Sequence, residues 1–135
     1  MCKRKGFTLV ELMVVILIVA ILAAVAIPIM RGRIDAAKWS EGKAIMGTIA
    51  TSIRAYVAEK NEPLANFDDV TQTALGFLDA DLTGTYFDQA DFSWTGSYDV
   101  PTNNLQFVIT ATAGTGISSP TVVTLNQAGA WAETP

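Results

Sequence analysis

Histidine is absent from the 135 residues, and cysteine occurs once, at Cys2. Without imidazole, and with a single thiol, the commonest nucleophile–base pairs and zinc ligand sets cannot be assembled. Ten glycines are present, but none falls in a loop spaced to cradle phosphate. Cations are scarce as well, nine against thirteen acids. That balance argues against a general grip on nucleic acid, which needs clustered lysine and arginine. What remains is a structural or binding role, for which no cofactor is expected.

The dominant feature present is an apolar run. From Leu12 to Ile27 there is no polar side chain, and between Phe7 and Met30 only Thr8 and Glu11 are polar. A helix over that span would be roughly 36 Å long at about 1.5 Å per residue, enough to cross the hydrocarbon core of a bilayer. Lys3, Arg4 and Lys5 directly precede it, which predicts an amino terminus held in the cytoplasm and a chain sent outward after Arg31. Glu11 is the anomaly, because a carboxylate inside an apolar membrane helix costs about 2.5 to 3.5 kcal/mol. It calls for a partner. A cut between Gly6 and Phe7 would create an α-ammonium one helical turn from Glu11, in its own chain or a neighbour's.

The run Lys5-Gly6-Phe7-Thr8-Leu9-Val10-Glu11, with the apolar block closing on Ile27-Pro28, resembles the class III signal of type IV pilins and type II secretion pseudopilins. The resemblance covers residues 1 to about 60. It implies that a prepilin peptidase cuts after Gly6 and methylates the amine of Phe7. It also implies that Glu11 guides each subunit into a helical filament by pairing with a neighbouring amino terminus. An ATPase-driven machine and an assembly platform protein would extract the subunit from the inner membrane. Family members often carry glycine where this chain has Ala20, a position tied to local helix melting, whereas Pro28 matches and can break the helix. The leader, residues 1–6, would carry away Cys2 and three cations, leaving a cysteine-free chain with a side-chain balance of −7. Many pilins close a C-terminal loop with a disulfide. Here that loop has to be held by packing, by metal or by neighbouring subunits.

Other readings of the same stretch fit less well. Ala24-Val25-Ala26 imitates a secretory cleavage site, but the apolar run is longer than usual for a signal peptide and contains a glutamate. A plain membrane anchor leaves Glu11 without a purpose. A buried core helix would need more surrounding chain than is available, and Cys2 sits in a poor context for lipidation.

Residues 7–30 therefore read as the membrane and assembly half of a helix, and 31–135 as a globular domain of α+β class. After Pro28 the helix is expected to resume and run to about Lys60. Ile45, Ile49, Ile53 and Val57 form an apolar stripe with Ala37, Met46 and Tyr56 beside it, and Lys38, Glu41, Lys43, Arg54 and Glu59 take the other face. Gly32, Gly42 and Gly47 suggest close approach of neighbouring helices. Asn61-Glu62-Pro63 ends the helix through its proline.

A connecting segment over 61–91 follows, with Asp68 capping a short helix through Leu75 and Gly76 stopping it. Phe67, Val70, Leu75, Phe77 and Leu78 would anchor it. Alternation over Phe92–Tyr98 and Leu105–Ala111, with turns at Pro101–Asn104 and Asn126–Gly129, predicts three or four antiparallel strands covered by the helix stripe. Asp79-x-Asp81-x-Thr83-Gly84 opens like a calcium loop, yet its twelfth position is Ala90, with Asp88 and Asp91 nearby. It reads as an acidic turn, not a metal site. Tyr86, Phe87, Phe92, Trp94, Tyr98 and Trp131 read as core and sheet packing. The expectation is a non-enzymatic subunit that polymerises with itself, membrane-bound as a precursor and part of a surface filament when assembled. The alternatives are a type II secretion pseudopilin, a minor pilin, or a membrane-tethered binding module.

Overall fold

The computed structural model of the chain describes residues 6–67, 70–78 and 80–135. One helix, α1, spans Leu9–Lys60. A 3-10 turn at Gln89–Asp91 then leads into strands β1 (Phe92–Asp99), β2 (Asn104–Thr112), β3 (Val122–Asn126) and β4 (Trp131–Thr134). The chain divides into two compact units, Met1–Ile34 and Asp35–Pro135.

In the first unit the large apolar side chains all face outward, from 48% exposed at Ile34 to 79% at Phe7. By length and composition this helix can cross a membrane. Pro28 does not break it. The helix is continuous through that position, so the loss of one donor to the Ala24 carbonyl is tolerated by the turns on either side.

In the second unit α1 buries Asp35, Trp39, Gly42, Met46, Ile49, Ala50, Ile53 and Val57. This stripe differs from the expected one in its pitch. Steps of four residues advance about 40° too far per step on a helix of 3.6 residues per turn, so alternating steps of four and three are needed to stay on one face. Ile45 is consequently half-buried, and Ala37 is exposed. Gly42 belongs to the stripe because the Phe87 ring lies over it. A Cβ there would stand 2.7 Å from Phe87 Cζ, whereas nothing lies within 4 Å of the same point at Gly32 or Gly47. The close approach at Gly42 is thus made by an aromatic ring of the same chain.

The sheet is an antiparallel meander in the order β1-β2-β3-β4. Its register sets Trp94 opposite Ile109 and Ile109 opposite Leu125, with Phe92, Ala111 and Val123 in the next row. Those side chains, with Tyr98 and Phe107, form one core with the helix stripe. β4 lies at the edge and all four of its residues are exposed. Hence Trp131 is 43% exposed; Tyr86, which lies ahead of the sheet, is 37% exposed, and both were expected to pack inside.

α1 ends on Asn61, whose left-handed backbone (φ 45) lets its N–H reach the Val57 carbonyl at 2.9 Å. Pro63 only follows this stop. The expected cap Asp68 lies outside the described residues. What is described of that stretch is a single turn, in which Phe77 donates to the Gln72 carbonyl at 3.0 Å around Gly76 (φ 87). Phe67, Val70, Leu75 and Phe77 are buried, but Leu78 is 71% exposed, and Leu82 and Phe87 take the core positions instead.

With no disulfide, the loop between β2 and β3 is fastened by the helix. Asp35 Oδ2 accepts from the backbone N–H groups of Ser118 at 3.1 Å and Ser119 at 3.2 Å. Trp39 Nε1 donates to the Pro120 carbonyl at 3.0 Å, and Lys38 Nζ to that of Gly116 at 2.6 Å. Asp35 is the buried charged residue of this unit among those described. Removing its carboxylate would leave two N–H donors unsatisfied. Asp35→Ala is therefore expected to lower stability by about 1 to 3 kcal/mol, read as a shifted midpoint in denaturant titration of the full chain in detergent.

Candidate functional site at the head of the apolar helix

Gly6, Phe7 and Thr8 precede α1 without regular structure and are exposed, so the Gly6–Phe7 peptide bond is accessible. Thr8 is the N-cap of the helix and Glu11 its third residue. Glu11 Oε2 accepts from the Thr8 backbone N–H at 2.9 Å and from Thr8 Oγ1 at 2.7 Å. In return, the Glu11 N–H donates to Thr8 Oγ1 at 3.3 Å. This reciprocal pattern is a capping box, and it leaves fewer helix-end donors unsatisfied.

The arrangement changes the account of Glu11. Two donors from Thr8 satisfy the carboxylate within the first turn, which lowers the cost of placing it in an apolar helix. The positive pole of the helix N-terminus acts in the same direction. Both Thr8 donors converge on Oε2, and Oε1 has no hydrogen-bond partner among the described residues. The carboxylate thus keeps a second oxygen able to accept a hydrogen bond in the first turn of the helix. Chemically the site can receive an ammonium group.

Thr8 is the residue that sequence reasoning missed. Its signal was present, since threonine followed three residues later by glutamate before an apolar run marks a helix start. Pro28 is exposed on the helix surface and makes no polar contact that would mark it as a site. The calcium-like positions do not converge among the described residues. Asp79 lies outside them, Asp81 Oδ2 accepts from the Leu78 N–H at 2.8 Å, and Thr83 donates its N–H to the Ala80 carbonyl at 3.0 Å. Asp91 Oδ2 likewise accepts from the Asp88 N–H at 2.8 Å. These carboxylates hold turns, and no group of three or more potential metal ligands gathers among the described residues.

A family model, the prokaryotic N-terminal methylation motif, matches residues 1–27 of this chain. The chain is 37% identical over 86 residues to a fimbrial protein of Moraxella nonliquefaciens, covering 64% of this chain and 53% of that one. It is 38% identical over 80 residues to the type IV major fimbrial protein FimA of Dichelobacter nodosus, covering 59% and 50%. It is 41% identical over 54 residues to the type II secretion system core protein G of Pseudomonas aeruginosa, covering 40% and 38%. The chain thus spans about half or less of the length of these relatives. No solved structure matched.

Thr8→Val removes the hydroxyl and with it half of the capping box. Loss of about 1 kcal/mol at the cap predicts roughly fivefold faster amide exchange at Glu11 in detergent micelles, with exchange in the sheet unchanged.

Proposed function

We propose that the chain is a non-enzymatic structural subunit of a type IV pilus-like filament. The observation that carries this is the outward-facing apolar surface from Leu9 to Ile34, headed by a carboxylate with a free oxygen. A prepilin peptidase cuts after Gly6 and methylates Phe7, so residues 1–6 are a leader, 7–30 the membrane and assembly segment, and 31–135 the displayed domain. The precursor lies in the cytoplasmic membrane with its amino terminus inside. An ATPase and a platform protein then move it into the filament, where Glu11 receives the amino terminus of a neighbouring copy and Pro28 allows the helix to adjust. The matched methylation motif and the fimbrial relatives support this reading.

A second reading is favoured by one comparison. The similarity to a type II secretion core protein supports a pseudopilin, confined to the envelope. A minor pilin, or a membrane-tethered binding module displaying its sheet, would share the same anchor.

Intact mass and N-terminal sequence of the protein from host membranes and from the sheared surface fraction test all of these. A chain beginning at Phe7 with one added methyl group, found in the sheared fraction, is the expected result. The same processed chain restricted to membranes indicates the pseudopilin, and a chain still carrying Met1–Gly6 after export overturns the filament. Glu11→Ala is expected to leave processing intact and to cut the filament-borne fraction by at least tenfold, measured by immunoblot of sheared material.

A further inference from the structure

In the unit spanning residues 35–135, twelve acids face only four cations. Three of those cations are bound within it. Lys38 holds the Gly116 carbonyl and lies over the Tyr86 ring, and Lys43 pairs with Glu133 at 2.7 Å beside Trp131. Arg54 reaches the Gln127 carbonyl at 3.3 Å across the Phe107 ring. The Arg31 and Arg33 side chains, by contrast, are exposed at the end of the apolar segment and make no hydrogen bond, ion pair or ring contact among the described residues. The same is true of two carboxylates, Glu59 and Glu62.

Those carboxylates sit where their own chain disfavours them. Glu59 is in the last turn of α1 and Glu62 just beyond it, at the negative pole of the helix, where cations are favoured. There the helix end and the Pro63–Leu64 segment enclose a crease of about 260 Å³, lined by Tyr56, Val57, Lys60, Glu62, Pro63 and Leu64. It combines an aromatic ring with a carboxylate, the pairing that suits a planar guanidinium.

We propose that Arg31 and Arg33 of one copy dock on Glu59 and Glu62 of a second copy, with one guanidinium entering this crease. The inference rests on the filament reading above, and it names the contact that offsets repulsion between copies of a strongly acidic chain. A second copy is the occupant because the chain itself supplies both halves, an unpartnered arginine pair and an unpartnered carboxylate pair. Lys60 borders the crease and opposes the docking, so neutralising it strengthens the contact.

The test uses the full chain in a host that assembles it, and reads the ratio of filament-borne to membrane-borne processed protein. R31Q/R33Q and E59Q/E62Q are each expected to lower that ratio by about threefold to thirtyfold, the loss of two exposed pairs. The four changes together should cost no more than either pair alone, the charge-swapped R31E/R33E/E59R/E62R chain should recover, and K60Q should raise the ratio. Added salt should lower the wild-type ratio and leave the neutralised chains unchanged. Failure of the swap to recover, or additive losses, overturns the proposal. So does a loss from the arginine changes alone, which would point to lipid phosphate as their partner. Should the swapped chain fail to accumulate, an R33C/E62C chain is read instead, since cleavage leaves no other cysteine. Oxidation is expected to give covalent multimers, and their absence overturns the contact. A wild-type chain that never leaves the membrane refutes the filament reading itself, a result distinct from any seen in the variants.

Discussion

The apolar side chains from Leu9 to Ile34 have no cover within their own unit, and the behaviour of the chain depends on what covers them. Two surroundings are chemically acceptable, lipid hydrocarbon and other apolar helices. Because both are apolar, transfer between them releases little hydrophobic free energy. Close packing then sets how strongly helices associate, and polar groups set their alignment. It is therefore significant that the two polar side chains of this stretch, Thr8 and Glu11, both lie at its head and satisfy one another there. An unpaired carboxylate farther along would be costly in either setting, whereas in the first turn it caps the helix and retains an acceptor for a partner.

The second unit solves a different problem, stability without a disulfide. Its helix does more than bury a stripe, because polar atoms on and beside the stripe reach out to fasten loops. Asp35, Lys38 and Trp39 hold the loop before β3. Glu41 accepts from the Tyr86 N–H at 2.9 Å, and Arg54 meets the turn before β4. These contacts differ in weight. The Lys43–Glu133 pair is 36% and 50% exposed, which places it among surface ion pairs contributing about 1 kcal/mol or less. Asp35 is buried with two backbone donors on one oxygen, so its removal leaves polar groups stranded in the interior. Arg54 lays its guanidinium over Phe107, so its stem adds packing as well as a hydrogen bond.

Much of this was legible in the sequence, for identifiable reasons. The apolar run and the first two strands announce themselves through long uninterrupted hydrophobicity and alternation, signals that depend only on local periodicity, while the later strands are marked mainly by the turn between them. The helix stripe was misplaced by one position at Ile45, because residues four apart look aligned on paper and drift in space. Trp39 carries no periodic signal, and the close approach expected at Gly42 is made by a partner no local pattern reveals; their roles are set by Pro120 and Phe87, forty or more residues away. Trp131 and Leu78 show the converse, where a hydrophobic residue fits a pattern but stays exposed, Trp131 because it lies on the edge strand β4. At the head of the helix Glu11 stood out by being out of place. Thr8 did not, since a threonine beside a membrane segment looks unremarkable until its spacing to the glutamate is read as a capping box. Pro28 leaves the helix continuous, as one lost donor does not end a helix supported on both sides.

The capping box and the proposed cleavage belong to one electrostatic sequence of events. Before a cut after Gly6, the nitrogen of Phe7 is a neutral amide and Glu11 has only the donors of Thr8. Afterwards the same nitrogen is an ammonium, and opposite charges brought close together attract. Thr8 bonds through Oε2 alone, so the new cation can approach Oε1 without dismantling the cap. Cleavage would then create the attraction that aligns one helix on another, while the start of each helix remains intact. This ordering also gives Thr8 a role that a purely apolar residue could not fill. By holding one oxygen of Glu11 in the first turn, it fixes the direction in which the other is presented.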